Sequence, residues 1–522
     1  MSVKCTRIVL ALFGIGANVA CSSARKPEIA AAEDASAANP LDAEVFAAGP
    51  RDGGRVAGLS AAFEPGTRLA STSMDTRVFE APDFKSEKIG WLRAGGTVEC
   101  DKKAIVAPGC HGGFRAIKPR GYVCVGATAT VDMNDPIVRA SSRRPDTSAG
   151  LPYMYGTVKR GGPVYAGLPS EADLSKFEPN LASHLRRWAR DKVNGAEYGV
   201  ELWGKWASSP PPPAKLALDE KRNDENIPWY LENHGRVPNL SGDADKRSLK
   251  IGEVSQHNGL SFIESFLREG RRYNVTTDLR VVPADRFRPI KGSTFHGWEF
   301  GKDVTLPLAI VRKKGAFSRK AADARKGSGH ALEWRTPVKL TGKQQTVGVN
   351  MMYELADGTW ADDQALSNVF VPRGMPSFVK DDTTWIDIDI DKQILIAYVG
   401  RKPVYVTLIS TGEAGKGDPK LTRSTPMGYF KVNTKFITAT MDSQVLGEEF
   451  ELRDVPYVQY FEAGYALHAA YWHDVFGMPK SHGCVNMAPE DARWIFAFSE
   501  PHVPDGWHGI SSKKGTFVNI HK

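Results

Sequence analysis

The segment YALHAAYWHDVFGMPKSHGCVNM, Tyr465 to Met487, holds three of the chain's 12 histidines, His468, His473 and His482, beside one of its 6 cysteines, Cys484. Three chemistries are open to such a set. His468 and His473 have a spacing used by zinc sites, and His482 with Cys484 would complete four ligands, but the paired-cysteine knuckle is missing. No metal and no cofactor is therefore expected. Alternatively, all four are packing and turn residues, as most single histidines and cysteines are. The third chemistry is covalent catalysis. A thiolate attacks a carbonyl, a histidine with an ordinary pKa of about 6.5 takes the proton, and backbone N–H groups around Gly483 to Val485 receive the oxyanion. Gly483, directly ahead of the cysteine, favours this reading because glycine permits a tight turn or a close approach.

Something must hold these groups in place, and the flanking sequence reads as β structure. WIDIDIDKQILIAYVGRKPVYVTLISTG alternates Ile386, Ile388 and Ile390 with Asp387, Asp389 and Asp391, which predicts an antiparallel meander with one wet face. Gly400 and Pro403 mark a hairpin turn. GYFKVNTKFIT, YVQYFEAGYALHA and a final TFVNI read as further strands. APEDARWIFAF predicts a short helix with Pro489 in the first turn and Trp494, Ile495 and Phe498 on its apolar side. A cysteine just ahead of that helix would gain a few tenths to about 1 kcal/mol for its anion.

The motif resembles the L,D-transpeptidase catalytic domain of the YkuD type. That family carries a histidine some 15 residues ahead of [S/T]-H-G-C-x-N. Here 15 residues separate His468 from Cys484, and Ser481, His482, Gly483 and Asn486 complete the pattern. RSTPMGYF, with Thr425, Pro426, Gly428 and Phe430, matches the family's T-P-x-G-x-[FY]. The resemblance implies that Cys484 is the nucleophile and His468 its base, oriented by the main-chain carbonyl of Ala469, where many relatives have Gly or Ser. His482, Gly483, Ser481 and Asn486 would shape the oxyanion and substrate pocket. Trp472, His473, Arg423, Thr425 and Gly428 would line it. It further implies action on peptidoglycan stem peptides, no cofactor, and inactivation by carbapenems.

The fold expected is a mainly β multidomain protein whose C-terminal unit, 375–522, is a YkuD-like β-sandwich or barrel with a short helix after the cysteine. The N-terminus reads as a leader. Lys4 and Arg7 precede the apolar run Ile8 to Ala20, and NVAC places Cys21 where a bacterial lipoprotein is lipidated. Residues 22–66 read as a flexible tether, and 67–130 resemble a bacterial SH3-like small barrel. The middle region, 131–374, is assigned no chemistry over 142–334. It holds the stiff Pro210–Pro213 run, a helix near Leu181–Val193 with Leu181, Leu185 and Trp188 as a packing stripe, and an echo of the SH3-like pattern near 334–370.

Two of Cys100, Cys110 and Cys124 are expected to pair in an oxidising compartment, with the choice left open. The formal charge of +8 suits an anionic wall polymer, while the lack of a basic block with interleaved aromatics argues against nucleic acid. The partners expected are stem peptides, with the acceptor left open among another stem peptide, a lysine-bearing envelope protein and water. The membrane would be reached only through the lipid, and the location is the periplasm or cell envelope.

Overall fold

Alternating isoleucines build the floor of the C-terminal unit. The strands Thr384–Asp389, Ile394–Val399 and Lys402–Leu408 form the expected antiparallel meander. Phe517–His521 runs parallel beside the first, and Gly428–Lys431 closes one edge. The computed structural model describes residues 67–190, 224, 226–240, 248–370, 374–414, 417–419, 421–443 and 450–522. The leader, Cys21, the tether and Pro210–Pro213 lie outside these residues.

Ile386, Ile388 and Ile390 share a core with Leu467, Ala469, Val485, Met487 and Ile495, so a second group of strands and the helix Pro489–Phe498 cover one face of the sheet. The alternation predicted a wet opposite face, but that face is covered. Trp385 and Tyr398 stack there with ring centroids 4.4 Å apart, and Phe295, Phe378 and Phe476 bury them. Asp387 accepts from Asn519 Nδ2 (2.6 Å) and lies 3.0 Å from His521 Nε2, which holds that imidazole up at about 9. The six-stranded sheet also takes in Trp298–Glu299, which pairs with Tyr405 and Val406 from well ahead of residue 375.

The long hairpin Thr434–Ser443 and Phe450–Glu462 ties the units together. The middle region folds as short antiparallel strands, among them Met154–Val158, Gly259–Arg268, Arg271–Thr276 and Phe287–Ile290. It joins the hairpin through a parallel bridge, Gly259 to Leu452. At the joint, buried Asp454 accepts from Arg93 of the N-terminal unit, from Ser261 and Thr277 of the middle unit, and from Thr438. Disrupting a buried pair of this kind costs about 3–5 kcal/mol.

Short strands make up residues 67–130, where Cys110 and Cys124 form the disulfide and buried Cys100 stays outside it. Trp507, from the far end of the chain, fills the core of this unit, and Lys88–Leu92 pairs with Gly509–Ser511. The helix Leu181–Arg190 buries Trp188 as expected, and also His184, which meets Asp285 at 2.8 Å. A five-stranded antiparallel sheet spans Leu308–Val311 to Leu366–Val369.

Candidate active site

Period-two alternation places His468. In the strand Tyr465–Ala469, Leu467 and Ala469 enter the sandwich core, so His468 between them turns to the other face. The parallel partner is Val485–Met487, in register Leu467 to Val485 and His468 to Asn486, which brings Cys484 to the strand's leading end. That three-residue strand separates the cysteine from the helix. A helix-dipole effect confined to the first turn therefore does not reach the sulfur as the sequence suggested.

The turn before Cys484 is tightly made. Gly483 has φ +125°, and a Cβ there would sit 2.6 Å from Tyr465 Cε1 and 3.0 Å from Ser424 O, so both conformation and space require glycine. Its N–H donates to Ser481 Oγ (3.0 Å), and Ser481 Oγ donates to the Cys484 carbonyl. Thr425 Oγ1 donates to the Gly483 carbonyl (2.9 Å) and accepts from Gly412 N, which anchors the turn to the segment carrying Arg423 and Gly428. Cys484 is 1% exposed, with Sγ 3.9 Å from the Gly464 carbonyl.

His468 is also 1% exposed, and its Nδ1 lies 3.0 Å from the Ala469 carbonyl. A carbonyl only accepts, so Nδ1 carries the proton and Nε2 keeps a lone pair. Burial lowers the pKa to about 4, against the smaller opposing effect of the carbonyl, so the ring is neutral at physiological pH. The Trp472 ring lies 5.7 Å away, and Phe450 stacks on His482 at the same distance.

His473 holds Asn486. Its Nε2 is 2.9 Å from Asn486 Nδ2, while Asn486 Oδ1 is buried without a hydrogen-bond partner. Val475 N–H donates to His473 Nδ1 (3.4 Å), and burial lowers the ring's pKa to about 4. A neutral ring accepting at Nδ1 bears its proton on Nε2. The facing amide atom is then assigned as oxygen, and the Asn486 NH2 is left as the orphaned group. His473→Ala is expected to lower kcat/KM about tenfold by freeing the amide, with the unfolding midpoint nearly unchanged; an unaltered kcat/KM would refute the positioning.

A cleft of about 800 Å³ opens beside this cluster, lined by His468, Trp472, Ser481, His482, Asn486 and Arg423, whereas Cys484, 1% exposed, is not among its lining residues. Glu413 bridges Arg423 (3.2 Å) and Lys480 (3.0 Å) at its rim. The opposite wall comes from the middle unit, which the sequence had left without chemistry: Thr157, Val158, Lys159, Gln256, His257 and Arg288. No local motif marked these residues, or Phe450 and Glu413, because they reach the cleft only through tertiary pairing, whereas Lys480 directly precedes Ser481 of the motif.

The family model for the L,D-transpeptidase catalytic domain, YkuD, matches residues 383–520. This stretch is a YkuD-type domain. No curated protein matches the chain. Among solved structures, an Enterococcus faecium L,D-transpeptidase mutant is 23% identical over 30% of this chain and 55% of its own, with a TM-score of 0.22. One from Xylanimonas cellulosilytica is 27% identical over 29% and 64%, at 0.21. One from Mycobacterium smegmatis is 19% identical over 44% and 93%, at 0.22. The chain spans less than two thirds of either of the first two. At such TM-scores these overlaps carry no weight, and the family match alone assigns the YkuD-type domain. Its match begins at residue 383, so the wall built by the middle unit lies outside it.

Proposed function

We propose that the chain is a peptidoglycan L,D-transpeptidase acting through a thioester on Cys484. One observation carries this most: His468, proton-bearing on Nδ1 and locked by Ala469, sits in parallel register with the strand that Cys484 leads. The sulfur attacks the carbonyl of the diamino acid at position three of a stem tetrapeptide, and His468 Nε2 takes the thiol proton. The C–N bond to the terminal D-Ala breaks, and that proton passes to the departing amine. An acceptor amine then attacks the thioester, yields a proton, and restores the thiol. Asn486 NH2 and backbone amides at the turn receive the oxyanion. One amide is exchanged for another, so no external energy source is needed.

The low basicity of His468 shapes the step. Burial holds its imidazole at about 4, so the ring rests neutral and is a weak base, and the thiol proton moves to it as the S–C bond forms. The Cys110–Cys124 disulfide supports export to an oxidising compartment. The periplasmic location, anchoring through Cys21, and stem-peptide or protein-lysine acceptors complete the proposal.

The test is product analysis by mass spectrometry after incubation with disaccharide tetrapeptide. D-Ala release with stem dimers is expected. Release without dimers would make water the acceptor, and no release would refute the reaction.

A further inference from the structure

We propose that the middle unit supplies a carboxylate-binding wall to the cleft, recognising the free carboxylates of an acidic peptide; this rests on the transpeptidase reading. Among the described residues, that wall contributes Lys159, His257 and Arg288 and no acidic group. Across the cleft, Glu413 is already engaged by Arg423 and Lys480, and Asp442 is the other acid among the described lining residues. Among the described residues the lining thus holds four Lys and Arg residues against two acids, and an excess of one charge in a concave site concentrates oppositely charged ligands.

The wall is built on a fixed base. Lys159 N–H donates to the Arg286 carbonyl (2.9 Å), and Gln256 Nε2 donates to the Lys159 carbonyl (3.1 Å), which ties the two loops together. His257 stands in the tight turn closed by Asn258 N–H to the Ser255 carbonyl, with φ +72°. Directly after it, Glu451 N–H donates to Asn258 Oδ1 and Gly259 bridges to Leu452, both on the hairpin that forms the cleft's other side. Tyr155 stacks on Tyr471 at 4.5 Å beneath the joint. The backbone that carries Lys159 and His257 is therefore anchored to the hairpin, which is how a peptide's charge would be read as position along the cleft.

The test measures binding by calorimetry to the Cys484→Ala protein, with and without Lys159→Gln or His257→Gln. Two probes are used: a synthetic stem tetrapeptide with free carboxylates, and the same peptide with those carboxyls as primary amides. Lys159→Gln is expected to weaken binding of the free-carboxylate peptide about tenfold and His257→Gln about threefold, with under twofold change for the amide peptide. Equal losses for both peptides, no loss, or a parent protein that binds neither would overturn the wall. D-Ala release by the wild-type enzyme, followed in parallel, separates the two readings: release without charge-dependent binding defeats the wall alone, whereas absent release defeats the reaction.

Discussion

Cys484→Ala is expected to cut D-Ala release and dimer formation by at least about 10⁴-fold, to the background of the uncatalysed reaction. The size follows from chemistry: without the sulfur there is no thioester, and the remaining groups can only bind and polarise the amide. The fold should persist. Alanine leaves a small gap where the buried thiol had been, which corresponds to about 1–2 kcal/mol. Steady-state rates beside a thermal unfolding curve check both statements. Retained turnover in a folded variant would remove the cysteine from the reaction.

His468→Gln is expected to lower kcat about 10²–10⁴-fold with a much smaller change in KM, because the glutamine can occupy the site but cannot accept the thiol proton. The pH profile discriminates further. His468 must be neutral to act, and its pKa lies at about 4, so wild-type activity should persist through pH 5 and fail only as pH approaches 4. The residual rate of the variant should lack that acid limb. Rates must be taken per folded molecule, because stability changes over the same range. His468 and His473 at about 4 and His508 at about 3 all have folded pKa values below the ordinary 6.5. The stabilisation from keeping them neutral is present above pH 6.5 and is lost as pH falls toward 4. Asp491, which burial raises to about 6, works in the opposite sense. An acid limb near pH 6.5 in the folded protein would contradict a buried, neutral His468.

What was legible in the sequence was local. Period-two isoleucines placed the floor of the sheet, Pro489 started the helix, and the spacing of His468 to Cys484 matched the family's motif. What stayed hidden depends on partners distant in the chain. Asp491 reads as an acid in a first helical turn, yet it is buried and accepts from Gly297 N–H and Tyr405 OH, both at 2.6 Å. The Asp face of the meander looked wet because Phe295 and Phe378, which cover its neighbours, lie outside any local period. Arg271–Thr276 has the polar sequence RRYNVT but is buried throughout, because Arg271 meets Glu178 and Asp285. No apolar pattern announces such a strand. The wall carrying Lys159 and His257 was missed for the same reason. Its residues are unremarkable in sequence and gain a role only when Gly259 pairs beside Leu452.

The most direct test of the central claim is intact-protein mass spectrometry of the wild-type enzyme, acid-quenched within its first turnovers on tetrapeptide, followed by mapping of the modified peptide. The expected result is a mass increase equal to the donor minus D-Ala, located on Cys484 and released by hydroxylamine as a thioester is. D-Ala release with an unmodified Cys484, or with the acyl group on another residue, would contradict it.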